Sequence, residues 1–235
     1  MAVLVILPTY NEKENLATLA PAILKIDPQL HLLVVDDNSP DGTGELANEF
    51  SLKNPGRVFV LCRSKKQGLG LAYKAGFDWA LSRNYDFIVT MDADWSHNPK
   101  DIPRLIEASK NYDLVVGSRY LNGVRVLNWP LKRLLLSIFG NFYIRFLTRL
   151  PVTDCTSGFQ CFRASLLKSI DFQKIKSKGF SFHIELKYRA WKKNFALKEV
   201  PIIFSERRLG KPKMKKSIVF EALLLPWRLI LWSKF

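Results

Sequence analysis

Through the first half of the chain, short apolar runs alternate with stretches of helical period. Residues 2–7, 32–35, 58–61, 87–91 and 114–116 are continuous and largely β-branched or aliphatic, as parallel strands buried on both faces are. Between them Leu16, Leu19, Ala20, Ile23 and Leu24 share one helical face, as do Ala72, Ala75, Gly76, Trp79 and Ala80. This βαβ series predicts an α/β fold: a doubly wound, mostly parallel central sheet flanked by helices, with ligands beyond the carboxyl ends of the strands. Polar residues gather at those ends. Pro8, Thr9, Tyr10, Asn11 and Glu12 follow the first run, Asp36, Asp37, Asn38 and Ser39 the second, and Asp92, Ala93 and Asp94 the fourth.

The second half has a different texture. Residues 134–144 are eleven positions without charge, bounded by Lys132 and Arg133 before and Arg145 after. That is too short to span a bilayer, and reads as an interfacial or re-entrant segment or as a buried helix. Residues 217–235 are richer still in Leu, Ile and Trp, but Glu221, Pro226 and Arg228 interrupt them. With Trp227, Trp232, Arg228 and Lys234 they suit either a helix lying among lipid headgroups or one packed on the protein. Residues 206–216 form a cationic arm, with Arg207, Arg208, Lys211, Lys213, Lys215 and Lys216 around Gly210 and Pro212.

Charge sharpens this division. The net charge of +15 is unevenly spread: residues 1–117 hold 12 basic and 15 acidic side chains, and the remainder 24 and 6. A basic second half favours phosphates, anionic lipid or nucleic acid, but no recognition helix or stacking motif supports nucleic acid. The 235 residues, 48% hydrophobic, suffice for one sizeable core. Cys62, Cys155 and Cys161 lack both even number and metal-ligand spacing, which argues against a disulfide framework or zinc site and for a reducing compartment. The first residues, MAVLVILPTYNE, lack a basic leader and a cleavage site, so they are read as a strand of a cytosolic protein.

No GxGxxG follows the first run and no Walker lysine motif occurs, which disfavours a dinucleotide-dependent dehydrogenase or a P-loop enzyme. Gly68-Leu69-Gly70 reads as a helix start. Asp92-Ala93-Asp94 closes a very apolar strand, where two carboxylates are costly unless a cation or strong donors meet them. An Asp-x-Asp turn can hold Mg²⁺ or Mn²⁺ through oxygen ligands, or it can cap a helix starting near Asn98-Pro99.

The motifs taken together narrow these choices. PTYNE, VVDDNSPDGT, DADWSHNP and GSRY, each after a predicted strand, resemble the nucleotide-diphospho-sugar transferases of glycosyltransferase family 2. NWPLKR at 128–133, DCTSGFQCFR at 154–163 and FSERRLGKPKM at 204–214 resemble the dolichol-phosphate mannose synthases and their prokaryotic polyprenol-phosphate relatives. The resemblance implies a GT-A fold with interfacial amphipathic helices. It places a catalytic domain at 1–216, with a nucleotide-sugar half at 1–117 and an acceptor half at 118–216, followed by a C-terminal amphipathic helix at 217–235.

It also implies roles. Pro8, Tyr10, Glu12, Val35, Asp36 and Asp37 would form the nucleoside pocket, and Asp92, Ala93 and Asp94 would meet the diphosphate and a Mg²⁺ or Mn²⁺ ion. Ser96 stands where some relatives carry a Gln metal ligand. Arg119 on the nucleotide-sugar side and Arg133, Arg207 and Lys213 on the acceptor side match the basic positions that hold phosphates, joined on the acceptor side by Ser157, with Asp94, Arg119 and Arg133 as the catalytic set. GDP-mannose is the implied donor, with UDP-glucose second, and a polyprenyl or dolichyl phosphate the implied acceptor. The protein would work peripherally on the cytoplasmic face of a membrane, with or without a small membrane-anchoring subunit.

One chemical point favours a lipid-phosphate acceptor. A sugar hydroxyl needs a general base, whereas a phosphate monoester near neutral pH already carries about −1.5 to −2 charges and needs cations instead. Asp154 is the best candidate for a base, but its place before Thr156-Ser157-Gly158 favours a structural role, tying down that loop through backbone N–H groups. Two alternatives stay open at this level: a transferase of the same fold acting on a glycan hydroxyl, and a silent membrane-binding scaffold. The intact Asp92/Asp94 pair and Arg119 speak against the scaffold.

Overall fold

A computed structural model describes residues 1–206 and 216–231. The chain runs β1 (Val3–Thr9), α1 (Lys13–Leu24), β2 (Leu30–Asp36), α2 (Thr43–Lys53), β3 (Val58–Cys62), α3 (Leu69–Leu81), β4 (Phe87–Thr90), α4 (Ile102–Ser109) and β5 (Leu114–Ser118). It continues through β6 (Val126–Leu127), α5 (Leu131–Thr148), β7 (Gln160–Arg163), α6 (Ala164–Ser169), α7 (Ser181–Lys192), β8 (Leu197–Pro201), β9 (Phe204–Ser205) and α8 (Lys216–Leu231).

Seven strands form one sheet in the order β3-β2-β1-β4-β7-β5-β8. All neighbours are parallel except β7, which runs antiparallel to both β4 and β5. The apolar runs are explained by burial on two faces: alternate residues of β1 feed opposite cores, Val3, Val5 and Leu7 on one side and Leu4 and Ile6 on the other. The first core is closed by Leu16, Leu19 and Ile23 of α1 with Ile102 and Leu105 of α4. The second is closed by Tyr73 and Phe77 of α3 with Phe182 and Leu186 of α7.

Two strands of this sheet leave no apolar run in the sequence, and neither do the two-residue β6 and β9. β7 has only four residues, and β8 is a half-exposed edge strand of mixed polarity, so neither produces an apolar run. β7 matters because it returns the chain, after the excursion through β6 and α5, to a slot between β4 and β5. The loop that leads into it, residues 153–159, is thereby laid across the carboxyl edge of the sheet.

The uncharged segment at 134–144 is the middle of α5, and the helix is turned inside out. Asn141, Ile144 and Thr148 are buried, while Leu131, Leu135, Leu136, Phe139, Phe142 and Phe146 are exposed, Phe146 to 72%. α8 packs beside it with Leu225 and Leu229 inward and Leu223, Leu224, Trp227 and Leu231 outward. Polar latches hold α8 in place. Arg228 Nη2 donates to Glu185 Oε2 at 3.1 Å, the Lys178 N–H donates to Glu221 Oε1, and the Tyr143 hydroxyl donates to the Leu223 carbonyl. Among the described residues no helix is long and apolar enough to cross a membrane.

Gly76 lets α3 lie close on the sheet: a Cβ there would stand 2.9 Å from Cγ2 of the fully buried Ile6. Gly76→Val should therefore destabilise the fold by about 1–3 kcal/mol through overpacking, in spite of the better helix propensity. A denaturant midpoint at or above that of the wild type would contradict this packing.

Candidate active site

The site begins where β4 ends. The Met91 N–H still donates to the Ile6 carbonyl, and the chain then leaves the sheet as Asp92, Ala93 and Asp94. Trp95 follows in the left-handed region, at φ 63°, a strained conformation for an aromatic residue. Its indole N–H is anchored on Thr18 Oγ1 at 2.9 Å. The reversal lets the Ser96 N–H reach Asp94 Oδ1 at 3.1 Å and sets Nδ1 of His97 to accept the Asp92 N–H at 3.3 Å. The capping alternative for the acidic pair does not hold, because Asn98 caps the following turn by accepting from the Lys100 N–H. Ala93 is buried in the core, Asp94 is nearly so, and Ser96 Oγ is sealed without a hydrogen-bond partner among the described residues.

Burial pushes the His97 imidazole down to about 4, the nearby Arg119 adding to this and the Asp94 and Asp154 carboxylates opposing it. The ring is therefore neutral at physiological pH.

Arg119 leaves β5 in the adjoining position and is clamped by Asp154. Its Nε donates to Oδ2 and its Nη2 to Oδ1, both at 2.7 Å, and its backbone N–H adds a third bond at 3.0 Å. Nη2 also donates to Thr156 Oγ1. Burial would raise the Asp154 carboxyl, but the guanidinium charge and these hydrogen bonds hold it below the usual carboxylate range. A carboxylate so engaged is a poor proton acceptor. Asp154 also accepts from the Ser157 N–H, so it ties down the loop as the sequence suggested, with a guanidinium clamp that the sequence did not reveal.

Lys187, fully buried on α7, supports the same loop from behind by donating to the carbonyls of Cys155 and Ser157 at 3.0 and 2.7 Å. Burial pushes its ammonium down to about 8.

On the other side of β1 the strand-end carboxylates are occupied by the chain itself. Asp36 accepts from the hydroxyls of Thr9 and Ser39 and from the Ser39 N–H, and Asp37 from Arg63 and the N–H groups of Gln67 and Gly68. Each thus retains room for about one further donor. Glu12 is buried against Asn15, and Tyr10 lies under the Lys66 ammonium, 3.7 Å from the ring centroid. Pro8 sits half-buried on β1 opposite Val35. Val35 itself points into the core, so it can shape this side but offers no side chain to a ligand.

A cleft of about 290 Å³ opens at Asp92, Asp94 and Arg119, and none of Pro8, Tyr10, Glu12, Asp36 or Asp37 lines it. Its polar end holds Asp92, Asp94, Ser96, His97, Arg119 and Arg133, and its other end is walled by Leu136, Gly140 and Ile144 of α5 and by Ala222 and Leu223 of α8. Arg133 lies 3.9 Å over the Trp129 ring and donates to Glu206 Oε1 at 2.9 Å. Ser157 lines the cleft, but its hydroxyl proton goes to the Gly117 carbonyl, so its side chain braces the loop instead of offering a donor to a phosphate. Arg207 and Lys213 lie outside the described residues, as do Trp232 and Lys234. Nothing local in DADWSHNP marks the His97 imidazole, since a lone His carries no signal of its partners. The same holds for Trp129.

Comparison with known proteins agrees with this layout. Residues 4–171 match the Glycosyl transferase family 2 domain. The chain is 49% identical over 221 residues to polyprenol monophosphomannose synthase of Mycolicibacterium smegmatis, covering 94% of this chain and 83% of that one. It is 46% identical over 224 residues to undecaprenyl-phosphate mannosyltransferase of Micrococcus luteus, covering 95% and 92%. To the dolichol-phosphate mannosyltransferase of Pyrococcus furiosus it is 40% identical over 243 residues, covering 99% of this chain and 65% of that one. In fold it is similar to glucosyl-3-phosphoglycerate synthase from Mycobacterium tuberculosis, solved with Mn²⁺, UDP and glucosyl-3-phosphoglycerate. There the TM-score is 0.68 at 18% identity, covering 97% of this chain and 77% of that one. The same enzyme with Mg²⁺ and UDP gives a TM-score of 0.70 at 18% identity, covering 96% and 79%. The α/β architecture is thus of GT-A type, and the chain belongs to glycosyltransferase family 2, among the polyprenol-phosphate mannosyltransferases.

Proposed function

We propose that the protein transfers mannose from GDP-mannose to a polyprenyl phosphate, with inversion, while resting on the cytoplasmic face of a membrane. The observation that carries this reading is the two-ended cleft, whose carboxylates and guanidiniums lead directly to an apolar wall built by α5 and α8. A glycan acceptor would find no use for that wall, whereas a phosphate on an isoprenoid chain needs both ends. The relatives named for polyprenol, undecaprenyl and dolichol phosphates point to the same acceptor class.

The donor end suits a divalent cation. Asp92, Asp94 and the unpartnered Ser96 hydroxyl make an all-oxygen donor set. No group of three or more His, Cys, Asp or Glu converges among the described residues, so the diphosphate and water would complete the shell. When bound, Mg²⁺ or Mn²⁺ supplies Lewis-acid neutralisation of the departing diphosphate.

The chain's own residues do the rest. Arg119, locked by Asp154, presents a fixed cation whose Nη1 makes no bond to a described residue, and Arg133 supplies a second. Together they orient the acceptor phosphate for in-line attack of one of its oxygens on the anomeric carbon as the bond to the diphosphate breaks. Because that oxygen is already anionic, the step requires no general base. The basic positions Arg207 and Lys213 belong to this acceptor group by resemblance. The outward apolar residues of α5 and α8, with Lys132 and Arg145 flanking, form the surface that meets lipid.

Three outcomes are expected. Asp94→Ala should lower transfer by more than about 100-fold, consistent with loss of several kcal/mol of charge stabilisation, while the melting temperature stays at the wild-type value. Radiolabelled GDP-mannose with the lipid phase counted measures it, and turnover within tenfold of wild type would exclude the metal assignment. Gly140 offers a cleaner probe of the lipid end, because a Cβ there meets nothing within 4 Å and the residue lines the cleft. Gly140→Leu should raise KM for a long-chain polyprenyl phosphate by about tenfold and leave KM for GDP-mannose unchanged. Equal effects on both substrates would argue against a lipid path there. Finally, replacing Phe139, Phe142 and Phe146 together by Ser should abolish co-sedimentation with anionic phospholipid vesicles, and retained binding would place the membrane surface elsewhere.

A further inference from the structure

His97 is bound to the site by one edge of its ring, and the other edge is available. Nδ1 accepts the Asp92 N–H, which leaves the proton of the neutral imidazole on Nε2. The ring cannot turn away. Phe159 stacks on it at a centroid distance of 4.9 Å, and Phe204 meets it edge-on at 5.3 Å. Nε2 makes no hydrogen bond to a described residue; it is not among the enclosed, unpartnered atoms that include Ser96 Oγ and His183 Nε2, and His97, though only 1% exposed, lines the cleft. A held N–H donor therefore faces the space bounded by Asp92, Asp94, Arg119 and Arg133.

The neighbours decide what such a donor meets. Two guanidiniums and the metal-type carboxylates already provide for the phosphates of both substrates, and a neutral N–H between aromatic rings adds little to anion binding. It matches a neutral acceptor, and in this cleft that is a hydroxyl of the hexose being transferred. We infer that His97 is a substrate-contacting residue that donates Nε2–H to one hydroxyl of the transferred sugar and so contributes to the choice of sugar. The inference rests on the GDP-mannose reading given above.

The test is a cycle between residue and substrate. GDP-mannose and its 2-, 3-, 4- and 6-deoxy analogues are assayed with the wild type, His97→Phe and His97→Gln, using polyprenyl phosphate as acceptor. GDP and Mn²⁺ affinities are measured by calorimetry on the same proteins. The wild type should lose about tenfold in kcat/KM with one deoxy analogue. His97→Phe should lose about as much with GDP-mannose and nothing further with that analogue. His97→Gln, which retains an N–H donor, should recover part of the loss, and all three proteins should bind GDP and Mn²⁺ alike. Additive losses at every hydroxyl would overturn the contact, as would a fall in GDP and Mn²⁺ affinity that accounts for the whole effect, since that would reduce His97 to a prop for Asp92. A wild type that transfers no mannose from GDP-mannose would instead overturn the function proposed above, and this contact with it.

Discussion

The pairing of Arg119 with Asp154 holds the site together. Both groups are buried, and burial alone would disfavour the charged form of each; instead the guanidinium is held more basic and the carboxyl more acidic than usual by their mutual attraction. Removing one partner of such a pair typically costs about 3–5 kcal/mol, because the other is left charged and unpaired. The two residues lie on different segments, the end of β5 and the loop entering β7. Their fork therefore fixes the width of the cleft floor. Glu199 of β8 reinforces it by accepting from the N–H groups of Thr153 and Asp154, and Lys187 of α7 does so from below. A loop without regular structure is thus tied down at both its N–H groups and its carbonyls.

A second constraint comes from α5 and α8. Many of their large apolar residues face outward, while Asn141, Ile144 and Thr148 of α5 and Leu225 and Leu229 of α8 face the protein, an arrangement that costs free energy in water alone. The polar latches at Glu185, Glu221 and Tyr143 compensate for the modest inward apolar contact, so the two helices stay seated without burying their outer faces. Between them runs the apolar half of the cleft, and Arg119 lies at its polar end.

Much of this is legible in the sequence itself. The runs that became β1 to β5 stood out because strands buried on both faces must be apolar at every position. The Asp92-Ala93-Asp94 turn stood out because two carboxylates beside such a run need a reason. What escaped notice has equally physical causes. β7 is too short and β8 too exposed to leave a pattern. Around Asp36 and Asp37, what is not legible is that the hydroxyls of Thr9 and Ser39, the Arg63 guanidinium and three backbone N–H groups take most of their acceptor capacity, since no local spacing reveals these partners. Val35 and Ser157 matched a motif, but one faces the core and the other gives its proton to Gly117.

Local pattern by itself determined the α/β class, the edge of the sheet where chemistry would occur and the division into an acidic and a basic half, because periodicity, strand-end position and charge are properties of neighbouring residues. Tertiary structure alone decided that β7 enters antiparallel between β4 and β5, that α5 shows its phenylalanines to the outside and that Asp154 clamps Arg119. It also decided that His97 accepts the Asp92 N–H and lines the cleft. Each of these depends on contacts between segments far apart in the chain, whose energies no single window of residues contains.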